Sequence, residues 1–223
     1  MQKKLLVLVA ALLLTCVGAR AQFSIGAGWV MALETSAPAM NGFQVGAQFN
    51  IPLGDRAVFG IQPGFNVSML FGQGTGSDAG TFELGDGLSA QYSEFVLNLP
   101  INLTVGYGQD EDFSLVAYVG PVIQYGFISR TTISGQGILT LHDTGNQYNV
   151  SGGYTYDHYL GDSVNSVSAD RKQFNVLVGA GFIFQLGDNL QIHLGYERSF
   201  INYAARGSKV NRNYIKAGLA IGF

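Results

Sequence analysis

Five ionisable residues lie where a two-residue period would send their side chains to one common side: Glu94, His193, Glu197, Arg212 and Lys216. Two carboxylates, an imidazole and two cations can pair as buried ions, or they can relay a proton or hold a small polar ligand. Burying a charge is tolerable only beside a partner, so a structural ion-pair network is the first expectation and a relay the second. Glu197 and Lys216 fall on consecutive segments joined by the connection 204–211, which makes them expected neighbours.

Acyl-transfer chemistry would require a nucleophile, a base and an orienting group within hydrogen-bond reach. The chain has three histidines, His142, His158 and His193, and the serine nearest His193 is Ser199. On a strand, six residues at ~3.3 Å each put those two about 20 Å apart. His142 and His158 sit in a long polar segment whose spacings match no metal or triad motif. No catalytic residue, metal site or cofactor is expected.

The elements that carry these residues alternate with period two. In 43–51 every odd position is apolar and every even one polar or glycine, so the two sets go to opposite faces of a strand. Phe23, Ile25, Ala27 and Trp29 open a first strand; Phe59, Ile61, Phe65, Val67 and Met69 mark a third. Phe95 to Leu103, Phe113 to Tyr125, Phe174 to Leu186, Leu190 to Tyr196 and Ile215 to Phe223 complete about eight segments. Each is near or above the ~9–11 residues that a tilted strand needs to cross hydrocarbon. A soluble sandwich would also alternate, but its polar faces would carry Lys, Glu and Thr. Here they carry Gly, Asn, Gln and Ser, the contents of a packed polar interior. The expected fold is all-β: a transmembrane antiparallel up-and-down β-barrel of about eight strands.

Short connections at 52–56, 106–112 and 187–189 alternate with mostly longer ones at 33–42, 72–87, 128–171 and 204–211. That alternation suits periplasmic turns at one end and external loops at the other, with both termini periplasmic. The loop 128–171 is far longer than the ~12–15 residues beyond which loops are uncommon and often functional. Its Tyr148, Tyr154, Tyr156 and Tyr159, interleaved with Gly, Asn and Ser, suit an adaptable external contact surface. Within it, 131–140 and 147–156 could pair as a hairpin above the membrane.

Residues 1–21 differ in kind. Lys3 and Lys4 precede an apolar run from Leu5 to Thr15, and Ala19-Arg20-Ala21 offers a small-residue cleavage site, the pattern of a secretory signal peptide. The barrel domain is then 22–223. The one cysteine, Cys16, falls in the leader; a lipid-modified cysteine is the alternative, but Leu14-Thr15 lacks the small residue expected before it. Charged residues make up 12% of the chain, about half the usual ~25% share, and its 31 glycines are about twice the usual ~7%. The near-neutral balance leaves no polybasic surface for nucleic acid.

The stretch Glu94-Phe95-Val96-Leu97-Asn98-Leu99-Pro100-Ile101-Asn102-Leu103, followed by Ala117-Tyr118-Val119-Gly120-Pro121, resembles the PorT-type outer-membrane β-barrel family. The resemblance spans nearly all of 22–223 and implies an outer-membrane barrel. Asn98-Leu99-Pro100 stands where a Glu-Ile-Pro-like run is common in that family, so no secretion-related role is carried over. The closing stretch from Ala217 to Phe223 resembles the C-terminal signal read by barrel-assembly machinery, with Phe223 its terminal aromatic. The expected partners are outer-membrane lipids, that machinery and a protein outside or in the periplasm, around a monomeric barrel. The functional expectation is a non-enzymatic structural or interaction module. A narrow passage or small-solute site is the alternative, and a lipid-modifying enzyme the third.

Overall fold

The computed structural model describes residues 22–34, 37–53, 58–74, 82–107, 113–141, 145–161, 168–187, 189–205 and 210–223. The leader and His142 lie outside these residues. Ten strands follow in order: β1 (Gln22–Glu34), β2 (Ala37–Leu53), β3 (Phe59–Gly74), β4 (Phe82–Leu84), β5 (Leu88–Tyr107), β6 (Phe113–Leu141), β7 (Gln147–Asp157), β8 (Phe174–Leu186), β9 (Leu190–Ser199) and β10 (Arg212–Gly222). Eight of them, β1, β2, β3, β5, β6, β8, β9 and β10, form a closed antiparallel ring, in which β1 pairs with β10 and β6 with β8. Closure pairs every ring strand on both edges, which removes the open edges that hydrocarbon would penalise.

The period-two pattern sorts the two faces. Phe59, Leu103 and Leu219 point out of the ring and are more than half exposed, whereas Ser68, Asn98, Gln124 and Asn175 point in and are at most 1% exposed. That is the reverse of a soluble sandwich, whose apolar set would be the buried one. Phe23, Phe49 and Phe223 meet where the first and last strands join, with Phe223 donating its backbone N–H to the Phe23 carbonyl at 2.7 Å. Gly187 takes φ +60° in the short β8–β9 turn, a left-handed conformation that costs glycine nothing.

Two expected connections contain strand. The 33–42 connection is taken up by β1, running to Glu34, and β2, starting at Ala37, while 72–87 contains β4. Tertiary pairing extends these strands beyond their apolar alternation, because their backbone groups find partners across the ring. In 128–171 the hairpin forms, with Thr131 opposite Tyr156 and Thr140 opposite Gln147. β6 is 29 residues long and pairs with β8 over 113–125 and with β7 over 130–140. β4, β6 and β7 therefore continue as a sheet beyond the ring. A register shift at Phe95/Val96 accompanies a change of phase in β6: Gln124 and Gly126 face inward, then Ser129, Thr131 and Ile133 do. A bulge of this kind re-aims side chains at the rim of a barrel.

Candidate functional site

At the long-loop end, the lumen is closed by a segment that turns back into it. The Asp157 carboxylate accepts the backbone N–H groups of Tyr159 and Leu160 at 3.0 and 3.2 Å, forming a turn as β7 ends. The turn buries His158 and Tyr159 and leaves Leu160 outside. The His158 carbonyl then accepts the N–H groups of Asp170 and Arg171 at 3.2 and 3.1 Å, and Ala205 donates to the Asp170 carbonyl at 2.7 Å, so that 168–172 and 202–205 lie across the same mouth.

Beneath this cap is a charge-balanced cluster of two carboxylates and two guanidiniums. Arg212 binds Glu34 through Nη2 and Nε, at 2.5 and 3.0 Å, and reaches Glu94 through Nη1. Glu34 is shared with Arg171, 3.1 Å away. The second Glu94 oxygen accepts hydroxyl hydrogens from Tyr159 and Tyr203, both at 2.6 Å. The guanidinium of Arg212 lies 4.4 Å above the Tyr203 ring. Gly126 faces Tyr159, and a Cβ there would collide with the phenol oxygen. Below the cluster, Val30, Leu70, Val122 and Leu177 are at most 1% exposed and form an apolar layer. An amide ladder also lies inside the ring: Asn98 donates to Asn66 at 2.9 Å and Gln124 donates to Asn98 at 2.8 Å.

The five residues singled out in the sequence divide into three groups. Glu94 and Arg212 belong to the mouth cluster, and Glu197 and Lys216 form a separate buried pair at 2.6 Å. Tyr214 stands between them, bonded to Arg212 at 3.2 Å with the Lys216 ammonium 5.8 Å from its ring. His193 joins neither group and bonds to Gln191 at 3.1 Å. Glu34 and Arg171 escape the sequence reading because both fall in expected connections. The inward period of β1, carried past Ala32, reaches Glu34 and is the signal that could have found it.

The tyrosines expected on an external contact surface require a correction. Tyr156 is fully buried, with its hydroxyl on the Ser168 carbonyl at 2.7 Å, and Tyr159 is 7% exposed on Glu94. Tyr148 and Tyr154 pack half-buried against the apolar cluster around Leu139 and Ile133. The physical reason is the inward phase of this end of the sheet: Tyr148, Tyr154 and Tyr156 fall on the face that continues the lumen, and the turn after β7 carries Tyr159 inward.

Thr131, His158 and Asp170 form a hydrogen-bonded row, with Thr131 Oγ1 2.6 Å from His158 Nε2 and Asp170 2.9 Å from Nδ1. The order is that of a hydroxyl–imidazole–carboxylate relay. Thr131 is 0% and His158 1% exposed, so the hydroxyl meets no substrate in this closed state and the row locks the cap. Burial first, and then the neighbouring Arg171 cation, hold the His158 ring below the ordinary imidazole value of 6.5, against the opposing pull of Asp170 and Glu34. Between that lowered value and 6.5 the unfolded chain binds the extra proton, so cap stability falls as the pH drops below 6.5. The protection factor of the Arg171 amide, its exchange rate taken relative to the intrinsic rate at each pH, should therefore fall as the pH passes below 6.5, and His158→Gln should abolish the dependence. Equal protection on both sides of that pH would refute it.

The closed ring, apolar exterior and filled lumen define a small β-barrel of the membrane-spanning type. No protein-family model matches this chain, and no curated protein matches it. Among solved structures it is similar to Ail, the attachment invasion locus protein of Yersinia pestis, in complex with the heparin analogue sucrose octasulfate (11% identity, 91% of this chain and 99% of that one, TM-score 0.47). It is also similar to Neisserial surface protein A (10% identity, 91% and 97%, TM-score 0.46) and to a major outer membrane protein from Thermus thermophilus (15% identity, 92% and 100%, TM-score 0.46). No residue role passes across likenesses of this level; the architecture here rests on the hydrogen-bonded ring itself.

Proposed function

We propose that the chain is an outer-membrane barrel, monomeric and with both termini periplasmic, that acts as a non-enzymatic structural or interaction module through the sheet at its long-loop end. The observation that carries this reading is the length of β6. Its 29 residues far exceed the ~9–11 needed to cross hydrocarbon, so the part paired with β4 and β7 projects beyond the apolar belt. The capped mouth and the apolar layer beneath it favour a sealed scaffold over an open passage. Outward aromatic residues such as Trp29, Phe43 and Phe71 at the long-loop end, with Phe59, Phe113 and Phe223 at the other, suit the two headgroup levels of a bilayer.

β7 pairs with β6, and among the described residues no backbone bond joins its other edge to a further strand. Its polar face, with Ser151 and Thr155, is exposed. A photo-crosslinking residue at Ser151 in intact cells should yield a discrete protein adduct, whereas one at Asn189 in the short turn should not join to cell-surface material. No adduct at Ser151, or a surface adduct at Asn189 alone, would reject the module or invert the topology.

A further inference from the structure

Between its two aromatic levels the outer face of the ring carries, among the described residues, one charged side chain. The outward set of β9 runs Leu190, Ile192, Leu194, Tyr196 and then Arg198, and Phe200 follows one residue past the strand. Tyr196 is 45% and Phe200 76% exposed, so the cation is bracketed by two outward aromatic rings. Eight residues separate Arg198 from Leu190, which is ~26 Å along a strand and, at a tilt of ~40°, about 20 Å of height in an apolar band ~25 Å tall. Arg198 therefore stands on the long-loop side of the band, where its apolar stem can carry the guanidinium up to the headgroups.

Its neighbours make a donor patch. Arg198 lies directly opposite Asn213 on β10 and Val178 on β8. The Cα atoms of such partners are ~4.5–5.5 Å apart, so the guanidinium and the Asn213 amide share one spot on the outer face. The Tyr196 hydroxyl donates to Asn213 Oδ1 at 2.9 Å, which engages the acceptor of the amide and leaves its NH2 group to donate outward. Among the described residues no carboxylate pairs with Arg198, whereas Arg130, the exposed arginine of β6, is held by Asp157 at 3.4 Å. Val178, Ile215 and Phe200 border the patch as exposed apolar surface. A fixed cation on a lipid face is unfavourable by an amount that grows with depth, and here the membrane itself can supply the counter-charge.

Resting on the outer-membrane reading above, we infer that Arg198 and Asn213 bind the phosphate group of one membrane lipid in the leaflet at the long-loop end. The planar guanidinium fork matches two phosphate oxygens, and the Asn213 amide donates to the same group. The acyl chains then lie along the outward rows of β8, β9 and β10, where Val178, Leu194 and Leu219 are exposed. A phosphate monoester suits the patch better than a choline diester, because its charge is not offset by an ammonium group within the same headgroup.

The test is native mass spectrometry of the folded barrel released from phosphatidylcholine nanodiscs that contain a minority of bisphosphorylated lipid A. One lipid A should stay on each barrel, and the same lipid stripped of its phosphates should not. Excess inorganic phosphate should leave the adduct in place, since it lacks the acyl chains. Arg198→Gln should weaken retention about fivefold or more, the contribution of one cation near an anionic surface. Arg130→Gln should leave retention unchanged, and both variants should remain heat-modifiable barrels. Equal retention of the dephosphorylated lipid, an undiminished adduct in Arg198→Gln, or an equal loss in Arg130→Gln would overturn the assignment, and displacement by inorganic phosphate would replace the lipid with a free-anion site. A barrel that failed to enter the nanodisc would reject the membrane reading itself, a failure distinct from loss of the adduct in an inserted barrel.

Discussion

Replacing Arg212 with methionine should be among the most destabilising single changes in the barrel. The side chain is fully buried and holds Glu34 and Glu94, whose side chains are 2% and 1% exposed. Methionine preserves most of the volume but leaves two carboxylates facing one remaining cation, Arg171. Breaking a buried pair in this way costs about 3–5 kcal/mol. Arg212→Lys should fall between methionine and the parent, because an ammonium restores charge but cannot span both carboxylates with a planar fork. Urea unfolding in lipid vesicles would read the difference as a lower midpoint at unchanged slope. A loss below ~1 kcal/mol, the range of exposed pairs, would mean that water reaches the carboxylates.

The second large effect is expected at Glu197 and Lys216. Their atoms lie 2.6 Å apart, the residues are 7% and 8% exposed, and the other Glu197 oxygen has no partner. Lys216→Met strands an anion, and Glu197→Gln strands a cation beneath the Tyr214 ring. Each single change should cost ~3–5 kcal/mol, whereas the double change, which leaves two neutral side chains, should cost much less. The coupling is read from a double-mutant cycle. Strictly additive small losses would show two solvated residues that gain little from meeting. Because Glu197 and Arg212 occupy separate clusters that, among the described residues, meet through Tyr214, the Glu197 and Arg212 effects should combine nearly additively.

Both predictions turn on which charges meet, and here sequence and tertiary structure contributed differently. Alternation alone determined the faces. A residue two positions from Phe95 or Phe182 must share its side of the strand, so the outward apolar set and the inward Glu94, Glu197, Arg212 and Lys216 were legible without coordinates. The hairpin between β9 and β10 likewise made Glu197 and Lys216 expected neighbours, since consecutive antiparallel strands pair side by side in an up-and-down barrel.

What alternation could not supply was the phase and length of the strands above the apolar belt. There no lipid face demands hydrophobic residues, so Glu34 reads as loop although it closes β1 and pairs with Arg212 across the seam. The bulge near Phe95 shifted β6 by one position, which brought Thr131, and with it the partners on β7, to the inner face. A one-residue shift in a period-two strand exchanges its faces, and no local propensity marks where it occurs. The tyrosines of β7 and its turn therefore went inward as a cap instead of outward as a contact surface. Arg171 and Asp170 reached that cap through backbone bonds to His158, contacts between distant parts of a long segment. The sequence determined the barrel and the sign of each face; ring closure and strand shift decided which buried charges share a partner.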